Sequence, residues 1–142
     1  MIKVEIRGQK LFIRGIDRYK GKMKAQVDQA LQASALVVQN EARQLVLKGP
    51  KTGRTYIRRG KIKHRASAPG EAPASDTGTL VRNIVTAAEL SRNRVRIIAK
   101  TKYAAFLEYG TRKMKPRPFL IKALQNKIEQ IKAIFAASLR KS

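Results

Sequence analysis

The chain has 142 residues, 32 Lys and Arg against 9 Asp and Glu for a formal charge of +23, one histidine and no cysteine. Without cysteine, disulfides and thiolate metal sites are excluded and a reducing interior is expected, and the length suits one domain that buries roughly two thirds of its unfolded surface. So large an excess of positive charge opposes compaction and attracts polyanions, so the partner it implies is nucleic acid or an acidic protein surface.

Ile2, Val4 and Ile6 alternate with Lys3, Glu5 and Arg7, and Leu11, Phe12 and Ile13 follow a Gly8-Gln9 break. This predicts a small N-terminal hairpin. The segment lacks the apolar block of a signal peptide and no window is long enough for a membrane span, so a soluble cytoplasmic product with no membrane contact is expected. Asp17 is placed to cap the next element. From about residue 17 to 47, Val27, Leu31, Ser34, Val38, Ala42 and Leu45 recur at helical spacing, with Lys24, Asp28, Gln32, Gln39 and Arg43 on the opposite side. The pattern predicts a helix of ~30 residues and ~45 Å, part of it projecting or covered by a neighbouring subunit. Gly49 and Pro50 end it.

Eight basic residues follow, Lys48, Lys51, Arg54, Arg58, Arg59, Lys61, Lys63 and Arg65, and no acid occurs between Glu41 and Glu71. With the small residues after them they form a connection of about 28 residues, much longer than an ordinary loop. A solvated loop is the bland reading, but the uncompensated charge favours a flexible binding arm that faces DNA or an acidic neighbouring ring. Residues 64 to 80 contain Pro69, Gly70, Pro73 and Gly78 among small side chains, so almost nothing that could be buried and no regular element is expected before Asp76. Asp76 or Thr77 then caps a short helix.

Residues 82 to 89 and 94 to 101 flank Ser91-Arg92-Asn93, and Val95, Ile97 and Ala99 alternate with Arg94, Arg96 and Ile98. An antiparallel strand pair follows. Residues 103 to 109 predict a short helix that turns Tyr103, Phe106 and Leu107 to the sheet and ends at Gly110. The last element opens at Pro118, and Leu120, Leu124, Ile128, Ile131 and Phe135 give it an apolar stripe to lay on the sheet.

Reactive constellations are sparse. Gly49-Pro50-Lys51-Thr52-Gly53 lacks the spacing and the strand–helix frame of a phosphate-binding loop. One histidine cannot build a multi-imidazole zinc site. His64 paired with Ser67 or Ser75 has no carboxylate nearby in sequence and no strand-turn-helix elbow. The acids are scattered, so neither a metal nuclease nor any cofactor is expected. Glu108 is the acid expected to matter structurally, paired with Arg112 or Arg117.

Four motifs occur in one order: Ala66-Ser67-Ala68-Pro69-Gly70-Glu71-Ala72-Pro73, then Asp76-Thr77-Gly78-Thr79-Leu80, then Tyr103-Ala104-Ala105-Phe106-Leu107-Glu108-Tyr109-Gly110-Thr111, then Arg117-Pro118-Phe119-Leu120. The series resembles the head-tail joining and tail-completion proteins, also called minor tail components, of long-tailed double-stranded DNA bacteriophages and prophages, over roughly residues 17 to 140. The resemblance implies a virion protein of the phage neck or head-proximal tail end, non-enzymatic, binding other neck and tail proteins in a homo-oligomeric ring, with sixfold symmetry favoured. It marks Asp76, Thr77, Gly78, Leu80, Glu108, Gly110, Thr111, Arg117, Pro118 and Phe119 as motif positions. Residues 66 to 73 are expected to order on assembly. The rival reading is a non-specific basic nucleic-acid-binding module.

The expected fold is one α+β domain: a long N-terminal helix, a small antiparallel sheet, a C-terminal amphipathic helix packed on the sheet, and a long basic loop between helix and sheet.

Overall fold

A computed structural model describes residues 1 to 7 and 20 to 140. The expected partner strand at Leu11, Phe12 and Ile13 and the Asp17 cap lie outside the described residues.

The fold is α+β. Strand β1 (Ile2–Arg7) precedes the long helix α1 (Lys20–Lys48), the hairpin β2 (Thr55–Arg58) and β3 (Ile62–Arg65), and the single turn of helix α2 (Thr79–Arg82). Then come β4 (Ile84–Glu89), a 3-10 turn at Leu90–Arg92, β5 (Arg94–Ala99), the short helix α3 (Ala104–Tyr109) and α4 (Leu120–Arg140). β5 lies at the centre of a three-stranded antiparallel sheet ordered β1-β5-β4, with Ile2 and Ile84 both opposite Ala99. Alternation decides which face is covered: Val95, Ile97 and Ala99 are at most 1% exposed and meet Leu31, Ala35 and Val38 in the core.

Gly49 donates its N–H to the Leu45 carbonyl at 3.0 Å and ends α1 as expected. Two residues expected on the solvent side of α1, Gln39 and Arg43, instead turn to the sheet. Gln39 is buried, and Gln39 Nε2 and Arg43 Nη2 each donate to the Ile84 carbonyl at 2.8 Å. That carbonyl starts β4, whose outer edge has no partner strand among the described residues, and burying it without a donor would cost a hydrogen bond. α4 runs antiparallel along α1, tied at one end by Ser138 Oγ donating to the Gln26 carbonyl at 3.0 Å and at the other by Asn126 Nδ2 donating to Glu41 at 2.9 Å. Its first turn, Phe119, Leu120 and Ala123, enters the core shared with the sheet.

Two expectations between α1 and β4 are corrected. The basic stretch contains regular structure, the β2–β3 hairpin, in which Tyr56 opposes His64 and Ile57 opposes Lys63. Nor is the small-residue segment without buried groups: Ser67 and Ala72 are 1% exposed. Small side chains are what let the backbone lie this close. Gly53 shows the tolerance, because a Cβ there would meet the Ala66 carbonyl oxygen at 2.7 Å.

Candidate functional site

The hairpin is fixed to the body along one face. Gly53 N–H donates to the Ala66 carbonyl and Ala66 N–H to the Arg54 carbonyl, each at 2.9 Å, closing its base. Tyr56 and His64 meet with ring centroids 5.2 Å apart, and Arg58 forms an ion pair with Asp76. Asp76 therefore does not cap α2. The residue before that helix is Gly78 (φ 72°), without a side-chain cap, and Thr77 Oγ1 accepts weakly from Thr79 N–H at 3.4 Å. The excess of cations around Asp76 offers its carboxylate a stronger partner than a backbone N–H.

Residues 66 to 73 are held by a second carboxylate. Glu71 accepts from Thr52 Oγ1 at 2.5 Å, Thr52 N–H at 3.0 Å and Ala68 N–H at 2.8 Å. The Thr52 hydroxyl first, then these N–H groups, hold its carboxyl below the ordinary range. Gly70 N–H reaches the Pro116 carbonyl at 2.9 Å, and Arg117 Nη1 donates to Ser67 Oγ at 3.1 Å. Residues 66 to 73 thus make these contacts within their own chain.

Beside the hairpin lies an open cleft of about 310 Å³, lined among others by Tyr56, His64, Ser67, Asp76, Tyr103 and Arg117. It gathers residues from all four sequence motifs. A carboxylate does come near His64 here: Asp76 Oδ1 lies 3.8 Å from Nδ1, beyond hydrogen-bond reach. Ser67 Oγ is the acceptor of Arg117, so no serine–histidine–aspartate relay is assembled among the described residues. Among the described residues no group of three His, Asp or Glu side chains could hold a metal ion, and no helix is long and apolar enough to cross a membrane.

Of the three residues expected to face the sheet, Leu107 packs against the core but Tyr103 and Phe106 do not. The buried residues of α3 are Ala104 and Glu108, while Tyr103, Phe106 and Tyr109 are 43%, 56% and 64% exposed. The reason is Glu108, whose carboxylate accepts N–H groups from Phe119 (2.9 Å), Leu120 (3.1 Å) and Ile121 (2.8 Å). These are orphan donors of the first turn of α4, where negative charge is favoured. Glu108 thus pairs with a helix terminus and not with Arg112 or Arg117. Gly110 follows at φ 76°, ψ −179°, a backbone that only glycine holds readily. Thr111 Oγ1 then accepts from Met114 N–H at 3.1 Å, and Arg117 N–H returns to the Leu107 carbonyl at 2.7 Å. Gly110, Thr111 and Arg117 through Phe119 therefore form one structural corner, joining α3 to α4.

The remaining arm residues are exposed or half-exposed. Lys48, Arg54, Arg59, Lys61, Lys63 and Arg65 are exposed, and Lys51, half-buried, donates to the Leu47 carbonyl at 2.8 Å. Ile57 and Ile62 are 65% and 60% exposed.

A long helix across a small antiparallel sheet, with a docked basic hairpin, an exposed aromatic row and no gathered catalytic or metal-binding set among the described residues, defines an α+β protein whose surface is suited to binding. The family described as "Bacteriophage HK97-gp10, putative tail-component" matches residues 10 to 110, from before α1 through Gly110. The chain belongs to this HK97-gp10-like family of bacteriophage tail components. The match stops short of Arg117-Pro118-Phe119-Leu120, so that corner rests on the geometry above. No curated protein and no solved structure gives a significant match.

Proposed function

We propose that this chain is a structural protein of the phage neck or head-proximal tail end, which completes the tail or joins it to the head and is carried into the virion. It works by binding other neck and tail proteins and a second copy of itself in a ring, without bond chemistry or a cofactor.

The observation that carries this reading is the aromatic row of α3. Three neighbouring large rings left this open to water, on a helix whose other face is locked by Glu108, are the anchors expected of a protein interface. Membership of a tail-component family supports seeking the partner for such a row among other tail proteins.

The test is to stop translation of this reading frame early in its parent phage or prophage and view the lysate by electron microscopy. Filled heads beside separate tails of normal length support a joining role, and tails of irregular length support a completing role. Intact infectious particles overturn the proposal.

A further inference from the structure

The two faces of the β2–β3 hairpin differ in what they carry. Cross-strand register puts Tyr56, Arg58, Ile62 and His64 on one face, where Tyr56 and His64 meet across the hairpin and the Arg58–Asp76 ion pair ties that face to the body. The other face carries Thr55, Ile57, Lys63 and Arg65, and the turn adds Arg59 and Lys61. All four of these cations are exposed, and Arg65 also reaches its own chain, with Nε donating to the Gly53 carbonyl at 3.4 Å and its charge acting on Glu71.

The turn is locally strained. Arg59 has φ 49° and Gly60 φ 72°, and Lys61 N–H closes on the Arg58 carbonyl at 3.2 Å. Two successive left-handed residues suit Asn-Gly or Gly-Gly, and a long side chain at the first is an unfavourable local choice. Such an outlier points to a use for the side chain itself, and what arginine adds there is charge.

Among the described residues no unengaged acid is waiting for that charge. Of the nine acids, Asp17 lies outside the described residues. Each of the others already has a partner: Glu5 and Glu89 on Arg94, Asp28 on Lys24, Glu41 on Lys127, Asp76 on Arg58 and Glu129 on Lys132, with Glu71 and Glu108 on the donors above. Among the described residues a second copy brings the same engaged acids and the same positive surface, which favours a counter-charge from a different molecule.

The geometry points to the phosphate backbone of double-stranded DNA, bound without sequence reading by Arg59, Lys61, Lys63 and Arg65. Lys63 and Arg65 sit two residues apart on one face, about 6.8 Å along the strand, a spacing that lets two cations reach separate phosphates of a backbone so densely charged. Flexible cations on a fixed ribbon satisfy phosphates well, whereas an acidic protein seat would demand an apolar centre, and this face offers only Ile57. The inference rests on the tail-component reading only for the source of the DNA.

The test is fluorescence anisotropy of a labelled 30-base-pair duplex with the full chain, titrated between 50 and 200 mM salt. Four phosphate contacts contribute about −3.6 to the slope of log affinity against log salt, or about a 150-fold loss of affinity over this range. The triple variant Arg59→Asn, Lys61→Gln, Lys63→Gln should flatten the slope by about 2.7. Asn suits the left-handed position, so this variant should melt no lower than the parent. A control with the same charge loss elsewhere, Lys102→Gln, Lys113→Gln, Lys115→Gln, should change the slope by less than about 1.

Equal flattening by both triples overturns the assignment, because bulk charge would then explain binding. So does a hairpin triple that binds duplex like the parent yet fails to rescue tails in the phage, which would make the hairpin's partner an acidic protein. Neither result touches the tail-component reading, which fails only on intact particles in the lysate.

Discussion

Glu108 Oε2 accepts the Phe119 N–H at 2.9 Å, and through this bond the last turn of one helix caps the first turn of the next. The carboxylate is 3% exposed and serves three donors, so its loss leaves buried N–H groups unpaired. Glu108→Ala should lower stability by about 2–4 kcal/mol, and Glu108→Gln, which keeps one acceptor oxygen, by about 1–2 kcal/mol. Denaturant unfolding followed by circular dichroism measures both. A Glu108→Ala loss under about 0.5 kcal/mol would show the cap to be dispensable.

Gly110 makes the turn that lets Glu108 reach forward. A Cβ at this position would sit 2.7 Å from the Met114 carbonyl oxygen and 2.9 Å from Pro116, on a backbone that disfavours any L side chain. Gly110→Ala should cost at least about 2 kcal/mol, the strain of a glycine-only conformation plus the clash. The contrast is Gly21→Ala in α1, where nothing lies within 4 Å. That change should be neutral or stabilising by up to about 1 kcal/mol, so paired melting curves separate the two.

Long periodic segments were readable before the fold was known, because α1, α4 and the β4–β5 pair each repeat one pattern over enough residues to fix an orientation. α3 was not, since its six residues make fewer than two turns. The stripe through Tyr103 and Phe106 and the stripe through Ala104 and Glu108 fit such a helix equally well. Hydrophobicity favours the first; three distant N–H groups at the start of α4 decide for the second. The hairpin escaped notice because neither strand buries a face, so Ile57 and Ile62 show no inside–outside rhythm. The cleft was legible only in pieces, its residues coming from 56 to 117 in the chain. Asp76 illustrates the limit: local spacing suggested a cap, and Arg58, eighteen residues earlier, took the carboxylate.

The aromatic row predicts a separation between folding and assembly. Phe106→Ser and Tyr109→Ser alter side chains that are 56% and 64% exposed, so stability should change by no more than about 0.5 kcal/mol. Tail assembly should nonetheless fall at least tenfold, scored by plaque titre when the variant is supplied to a phage lacking the gene. Normal titres with both substitutions present would remove the α3 row from the interface.

Acid should release the 66 to 73 segment before it unfolds the sheet. Glu71 has a carboxyl pKa below its ordinary value of 4.5, chiefly through the Thr52 hydroxyl and then the Thr52 and Ala68 N–H groups. A depressed folded-state pKa stabilises above the unfolded value, and this contribution is lost as pH falls from there through the folded pKa. Protonation therefore weakens the clamp only below about pH 4.5. Hydrogen exchange read by mass spectrometry at pH 6 and again at pH 3.5, corrected for intrinsic rates, should show residues 52 and 66 to 73 losing protection first. Glu71→Gln removes the charge at every pH and should already expose this segment at pH 6, with α1 and the sheet still protected. If Glu71→Gln exchanges like the parent at pH 6, the carboxylate is not what holds the segment down.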